Sequence, residues 1–301
     1  MNDVDLVTEL YNDLKRDLSK VEGEMGEMVR YAVLRKGGLL RPQLAIRSGE
    51  VYGVPMGHMK GSALPLENVH AATLILDDSS AMDDSDTRNG EVAFHKVYSL
   101  DKTILTAQHL TSSIAPELNS NNLYLSPEIR IKIQAEYAKA AEGLCIGQLD
   151  DLHHKPESLE DVVELHRKKT GVLFAAATVI GGLAGSAPKE EIEILRALGH
   201  NLGIAYQMGD DIYDVLGNPK LGGKPIGQDG NKITVLGFME VHKAVELWKG
   251  FYDRAGNDID NLSSRLLARE EQGLFTGIAS AEPLRHMLEV IRNKQEGIMA
   301  L

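Results

Sequence analysis

The first apolar residues of the chain recur at a helical interval. Leu6, Leu10, Leu14 and Leu18 stand four apart with Val7, Tyr11 and Val21 beside them, a stripe that predicts an amphipathic helix over residues 4–22. A second helix is predicted over residues 25–34. It breaks in RKGGLLRPQL, where Gly37 and Gly38 loosen the backbone and Pro42 suits the first turn of a new helix. Pro65 opens LPLENVHAATLILDD, with Leu66, Val69, Thr73 and Leu76 on one side. On a helical wheel His70 and Thr73 fall within about 40° of Asp77, so these three share a face.

Similar periodicity predicts helices over 101–115, 127–152, 158–168, 171–185 and 189–216, then 234–255, 258–269 and 283–296. Turns such as LNSNNLYLSP and HKPES separate them, and Ser158 followed by Asp161 reads as a capping box. No alternating β-branched run bounded by turns predicts a strand. The expected fold is all-α, a helical bundle, and without a Gly/Ser or Pro-rich linker residues 1–301 read as a single domain. Residues 217–234 form the largest irregular segment, and loops of that length are usually functional or mobile.

Composition changes this picture in three places. The uncharged run 170–188 approaches the roughly 20 residues of a membrane span, but its glycines, small residues and lack of an aromatic belt predict a buried core helix and no transmembrane segment. A net charge of -12 argues against nucleic acid and means that an anionic ligand needs local cations or a metal. The single cysteine, Cys145, excludes an internal disulfide and reads as a packed core thiol; MNDVDLVTEL lacks a secretory pattern, so a cytoplasmic location is expected.

The candidate chemistry lies in two acidic clusters, LILDDSSAMDDSD and YQMGDDIYD. Asp210 and Asp214 are four apart and share a helical face with Gln207, whereas Asp83 must return to Asp77 and Asp78 from a turn beyond its helix, helped by Ser79 and Ser80. Paired hard oxygens without thiol or imidazole partners suit Mg²⁺, which is typically held by one or two carboxylates plus substrate phosphates. Arg88, Lys169 and Lys224 would complete a diphosphate clamp. The competing reading is a solvated acidic turn and a charged helix face. His153 and His154 read as a surface pair.

These residues carry a resemblance to the trans-isoprenyl diphosphate synthases, the polyprenyl synthetase family. The family's first motif, DDxxxxD, is matched by Asp77, Asp78 and Asp83, and its second, DDxxD, by Asp210, Asp211 and Asp214. The resemblance runs from about residue 30 to 235 and includes Gly147, Gln148, Lys169, Thr170, Gln207 and Lys224. It implies an isoprenoid-synthase bundle with a central cavity and a homodimer. In it, three Mg²⁺ held by the six aspartates bind the diphosphate of an allylic substrate. With Arg88, Lys169 and Lys224 they stabilise its departure, and isopentenyl diphosphate attacks the resulting allylic cation. Gln148, Thr170 and Gln207 would contact substrate. Product length would follow from Ala72 and Thr73, whose small size suits a C15 to C20 chain.

The departures concern the acceptor. Arg41 and His70 match the family's isopentenyl diphosphate contacts, but the lysine of GGKRxRP is Gly38, the arginine after it is Leu39, and the second arginine of an RR pair is Asn89. Two charge-assisted bonds lost would weaken that site by about 3–6 kcal/mol. Lys36, just upstream, is the expected substitute. Milder departures are Ala107-Gln108, where a Gly-Asp pair is usual, and a shortened segment between Asp229 and Lys232. Three functions therefore stay open: chain elongation to a C15 to C20 diphosphate, ionisation with another acceptor or as a terpene synthase, and a non-catalytic subunit of a heteromeric synthase.

Overall fold

The structure is a computed structural model that describes residues 3–35, 37–216, 233–274 and 280–299. Lys36, Lys224 and the segment between Asp229 and Lys232, all singled out above, lie outside the described residues. The leucine stripe forms α1 (Asp3–Leu18), with Leu6, Leu10, Leu14 and Leu18 all buried. It is followed by α2 (Gly23–Val33), α3 (Leu40–Val51), α4 (Met56–Ala63) and α5 (Pro65–Asp77). The periodicity does not anticipate α4, a short helix with Met59, Ser62 and Ala63 buried.

Beyond α5 come α6 (Phe94–Val97), α7 (Leu100–His109), α8 (Ala115–Ser120), α9 (Pro127–His153) and α10 (Leu159–His166). Then follow α11 (Val172–Ala184), α12 (Lys189–Leu216), α13 (Val241–Glu271) and α14 (Glu282–Met299). The helix expected over 101–115 passes through a π-turn, Leu110–Ile114, before Pro116. A proline has no N–H and crowds the carbonyl four residues earlier, so the widened turn lets the chain continue. The Ser158 capping box is present, with Asp161 N–H on the Ser158 hydroxyl at 3.1 Å and Ser158 N–H on the Asp161 carboxylate at 2.9 Å.

Helix α11 lies at the centre, packed by α3, α9 and α12, and nearly every residue of it is buried. This is the apolar run 170–188 in its expected role. Among the described residues no helix is long and apolar enough to cross a membrane. The buried apolar residues form one continuous cluster that reaches from α1 to α14.

Three expectations need correction. The separate helices over 234–255 and 258–269 are a single helix, α13, because Trp248, Tyr252, Ala255, Ile259, Leu262 and Leu266 keep one buried stripe across Gly256. That packing outweighs the roughly 1 kcal/mol a helical glycine costs. Cys145 is exposed. It stands about 100° round α9 from the buried stripe of Ile133, Tyr137, Ala140 and Leu144. Finally, Thr87–Arg88 pairs antiparallel with Glu91–Val92. The loop is Asn89-Gly90 with φ of 55° and 80°, the left-handed pair a tight hairpin turn needs.

Candidate active site

Asp77 is the last residue of α5, and Asp78 caps it. The chain then doubles back. Asp83 N–H donates to the Asp77 carbonyl at 3.0 Å, and the next two amides bond to Ser79 and Asp78, each at 3.0 Å. This is the return turn that the spacing of Asp77, Asp78 and Asp83 requires. Asp84 takes φ 46° within it, a conformation an aspartate tolerates, and is held by Lys96 at 3.1 Å.

The Asn89-Gly90 hairpin carries Arg88 back over these carboxylates. Arg88 Nε donates to the two Asp78 carboxylate oxygens at 2.9 and 3.1 Å, Nη2 also donates to Asp78, and Asp77 lies 3.8 Å away. Asp78 is 1% exposed. Burial pulls the Arg88 pKa down, but bonding to Asp78 and the attraction of Asp78, Asp77 and Asp83 more than reverse it. All three motif aspartates thus lie within the field of one guanidinium.

From the other side, Gln148 on α9 donates to Asp77 Oδ1 at 2.6 Å. Lys169 Nζ sits 3.7 Å from the same oxygen and 2.5 Å from Asp151. Lys169 and Thr170 belong to a π-turn, Arg167–Gly171, that joins α10 to α11; such turns recur at functional sites. Gly147 lets α9 approach it. A Cβ there would stand 2.6 Å from the Lys169 nitrogen, too close for any other residue. The Thr170 hydroxyl donates to Gln207 Oε1 at 2.8 Å, which ties the turn to α12.

On α12, Tyr206, Gln207, Asp210 and Asp214 form a partly exposed face. Asp211 does not share it. It is buried, lies 3.2 Å from His166 Nε2, and accepts the Val235 N–H at 3.4 Å. One residue is a 100° step, so Asp210 and Asp211 cannot both face the same way. Asp211 therefore faces away from Asp210 and Asp214, and its carboxylate contacts the elements behind the helix.

Arg41, in the first turn of α3, stacks its guanidinium 4.8 Å over the Phe174 ring. Burial lowers its pKa against the attraction of Glu67, Tyr206 and Asp210, and its Nε is buried without a hydrogen-bond partner. Glu67 was not anticipated. It lies three residues before His70 on the partly exposed face of α5 that ends at Asp77, and that position was the available signal. Burial pushes its carboxyl up to about 7, with Arg41 opposing. His70 and Thr73 are half-buried on the same face, with the Thr73 hydroxyl donating to the His70 carbonyl at 2.7 Å, while Ala72 is packed into the core. The other missed residues are Asp151 and His166, the partners of Lys169 and Asp211; each stands in a segment the motifs already bracketed.

Among the described residues no three His, Cys, Asp or Glu side chains stand together as a ready metal cluster. The donor chemistry nevertheless fits Mg²⁺, which takes one or two carboxylates with water and substrate phosphates in preference to an all-protein cage. Asp77, Asp78 and Asp83 at one helix end, and Asp210 and Asp214 on the face of α12, would supply such oxygens.

Residues 22–261 match the model of the polyprenyl synthetase family. Mitochondrial geranylgeranyl pyrophosphate synthase 10 of Arabidopsis thaliana is 33% identical over 238 residues, 76% of this chain and 69% of that protein. Chloroplastic geranylgeranyl pyrophosphate synthase 7 of the same plant is 34% identical over 241 residues, 77% and 68% of the two chains. The fold matches that of a geranyltransferase from Helicobacter pylori complexed with magnesium and isoprenyl diphosphate, with a TM-score of 0.78 at 24% identity over 95% of this chain and 97% of that one. Together with the two aspartate motifs, these matches show that the chain belongs to the polyprenyl synthetase family of prenyltransferases.

Proposed function

We propose that the chain is a Mg²⁺-dependent prenyltransferase that ionises an allylic prenyl diphosphate and condenses it with isopentenyl diphosphate to a C15 to C20 polyprenyl diphosphate. The observation that carries this reading is the convergence of Asp77 and Asp78 with Arg88, Gln148 and Lys169, drawn from α5, the hairpin, α9 and the π-turn. Bound Mg²⁺, three ions in the family mechanism, supplies Lewis-acid stabilisation of the departing diphosphate. Arg88 and Lys169, which pair with the aspartates, are assigned to the leaving diphosphate in this reading; Lys224 is assigned to it by the motif alone. Thr170 and Gln207 hold each other in place beside it. Ala72 and Thr73 are assigned to the wall that limits chain length.

Arg41 and His70 are assigned to the acceptor. The whole chain acts as one domain in this reading, and a homodimer is in keeping with the exposed apolar side chains of Ile104 and Leu105 on α7 and Ile131 on α9. The deciding assay incubates the purified chain with Mg²⁺, labelled isopentenyl diphosphate and geranyl, farnesyl or geranylgeranyl diphosphate. A longer labelled diphosphate is expected. Diphosphate release with an unlabelled hydrocarbon or alcohol would replace elongation with terpene synthesis or another acceptor, the reading that Gly38 and Asn89 favour. Turnover only after a second polypeptide is added would point to a subunit role.

A further inference from the structure

Gln295, on α14, is buried against α12 at Gly209, the residue immediately before Asp210. A Cβ built on Gly209 would stand 2.6 Å from both Cδ and Oε1 of Gln295, so the amide occupies the place a side chain at position 209 would take. Its Nε2 donates to the Tyr206 carbonyl at 2.7 Å. In an α-helix that same carbonyl accepts the N–H four residues on, which is that of Asp210. The last helix thus grips the turn of α12 that presents Gln207 and Asp210.

The other end of the amide is anchored as well. Oε1 accepts from the Tyr252 hydroxyl at 2.8 Å and from the Trp248 indole N–H at 3.2 Å, both on α13. Burial raises the Tyr252 pKa and Tyr206 and Asp210 add to the effect, so this hydroxyl keeps the proton it donates and lies within the field of the Asp210 carboxylate. An apolar side chain would fill the same space. The amide instead joins three helices without the desolvation penalty of an ion, and it does so one hydrogen bond away from the Asp210 peptide.

We propose that Gln295 is a positioning residue for the second aspartate motif: it fixes the turn from Tyr206 to Asp210, and with it the place of the Asp210 carboxylate toward a Mg²⁺-bound diphosphate. This rests on the metal-dependent reading given above. The path from Asp210 to Trp248 is three hydrogen bonds long: Asp210 N–H and Gln295 Nε2 share the Tyr206 carbonyl, and Trp248 donates to Gln295 Oε1. Coupling between two sites is reciprocal, so a ligand that settles on Asp210 is felt at Trp248, the one tryptophan of the chain.

Calorimetric titration of the full chain with Mg²⁺ and inorganic diphosphate tests it on the wild type, Gly209→Ala, Gln295→Met, Asp210→Ala and Leu14→Ala. In Gly209→Ala the new methyl displaces only the end of a flexible side chain while alanine strengthens the helix, so this variant stays folded. It and Gln295→Met are expected to bind about 5- to 100-fold more weakly. Leu14→Ala, a core truncation in α1, lowers stability and leaves the affinity unchanged, which separates loss of position from general loosening. Emission from Trp248 is expected to shift as the wild type binds. Wild-type affinity in folded Gly209→Ala or Gln295→Met, an equal loss in Leu14→Ala, or a Trp248 that stays silent on binding overturns the proposal. Asp210→Ala tests the reading beneath it. Binding that depends on Asp210 but ignores Gly209→Ala and Gln295→Met keeps the Mg²⁺-diphosphate site and removes the positioning role; no binding by the wild type, or full binding by Asp210→Ala, removes both.

Discussion

Arg88 Nε donates to the carboxylate of Asp78 at 2.9 Å, and through this pair the Asn89-Gly90 hairpin is fastened to the end of α5. Asp78 is 1% exposed, so Arg88 takes the place of solvent beside its carboxylate. Arg88→Ala leaves a buried carboxylate uncompensated and is expected to lower folding stability by about 3 kcal/mol. Adding Asp78→Asn to the same variant recovers most of the loss. Urea unfolding of both variants beside the wild type checks this, and a wild-type midpoint for Arg88→Ala would show that the pair is unimportant to the fold.

Asp210 and Asp211 face different ways on α12, which predicts different roles for the two. Asp210→Ala is expected to reduce turnover by at least about 10³-fold while the unfolding midpoint stays near that of the wild type. Asp211→Ala removes the partner of His166 and of the Val235 N–H, so it should cost about 2 kcal/mol of stability. Thermal unfolding run beside steady-state kinetics tells the two roles apart; identical behaviour of both variants would contradict the division.

Gly147 is where α9 meets the π-turn. Gly147→Ala forces a methyl group against the backbone of Lys168 and Lys169, an overpacking expected to cost about 2 kcal/mol. Because Lys169 and Thr170 move with that backbone, the expected kinetic effect is a lower kcat in the enzyme that remains folded. Wild-type stability would mean that α9 and the turn can part without penalty.

Glu67 gives the fold a pH dependence. Its carboxyl is raised from 4.5 to about 7 by burial, against the pull of Arg41. A raised pKa stabilises the folded state fully below the unfolded value, and that contribution is lost as pH climbs through the folded one. Between pH 4.5 and 7 the wild type should therefore lose about 2–3 kcal/mol relative to Glu67→Gln, which cannot titrate. Denaturant titrations at pH 5 and pH 8 measure it; parallel curves for the two proteins would rule out the shift.

The helices were legible because the apolar stripe is local: Leu6 to Leu18 need no knowledge of what they pack against. Continuity across Gly256 is not legible locally, because burial of Tyr252, Ala255 and Ile259 against distant helices decides it. The hairpin is legible in Asn89-Gly90 itself, since Asn-Gly is a strong short-range turn signal that does not need alternating strands on either side. In the site, motif spacing anticipates the return of Asp83 but does not say which carboxylate faces which way. Asp211, Asp151 and Glu67 take their roles from partners on other helices.

Gln295 has a consequence in time. Ribosomes make α12 and α13 well before residue 295 emerges, so during synthesis the Tyr206 carbonyl, the Trp248 indole N–H and the Tyr252 hydroxyl lack the amide that later joins them. Until then these groups must stay hydrated, and the interior between the two long helices stays unsealed. Docking of α14 supplies one side chain that closes all three gaps at once.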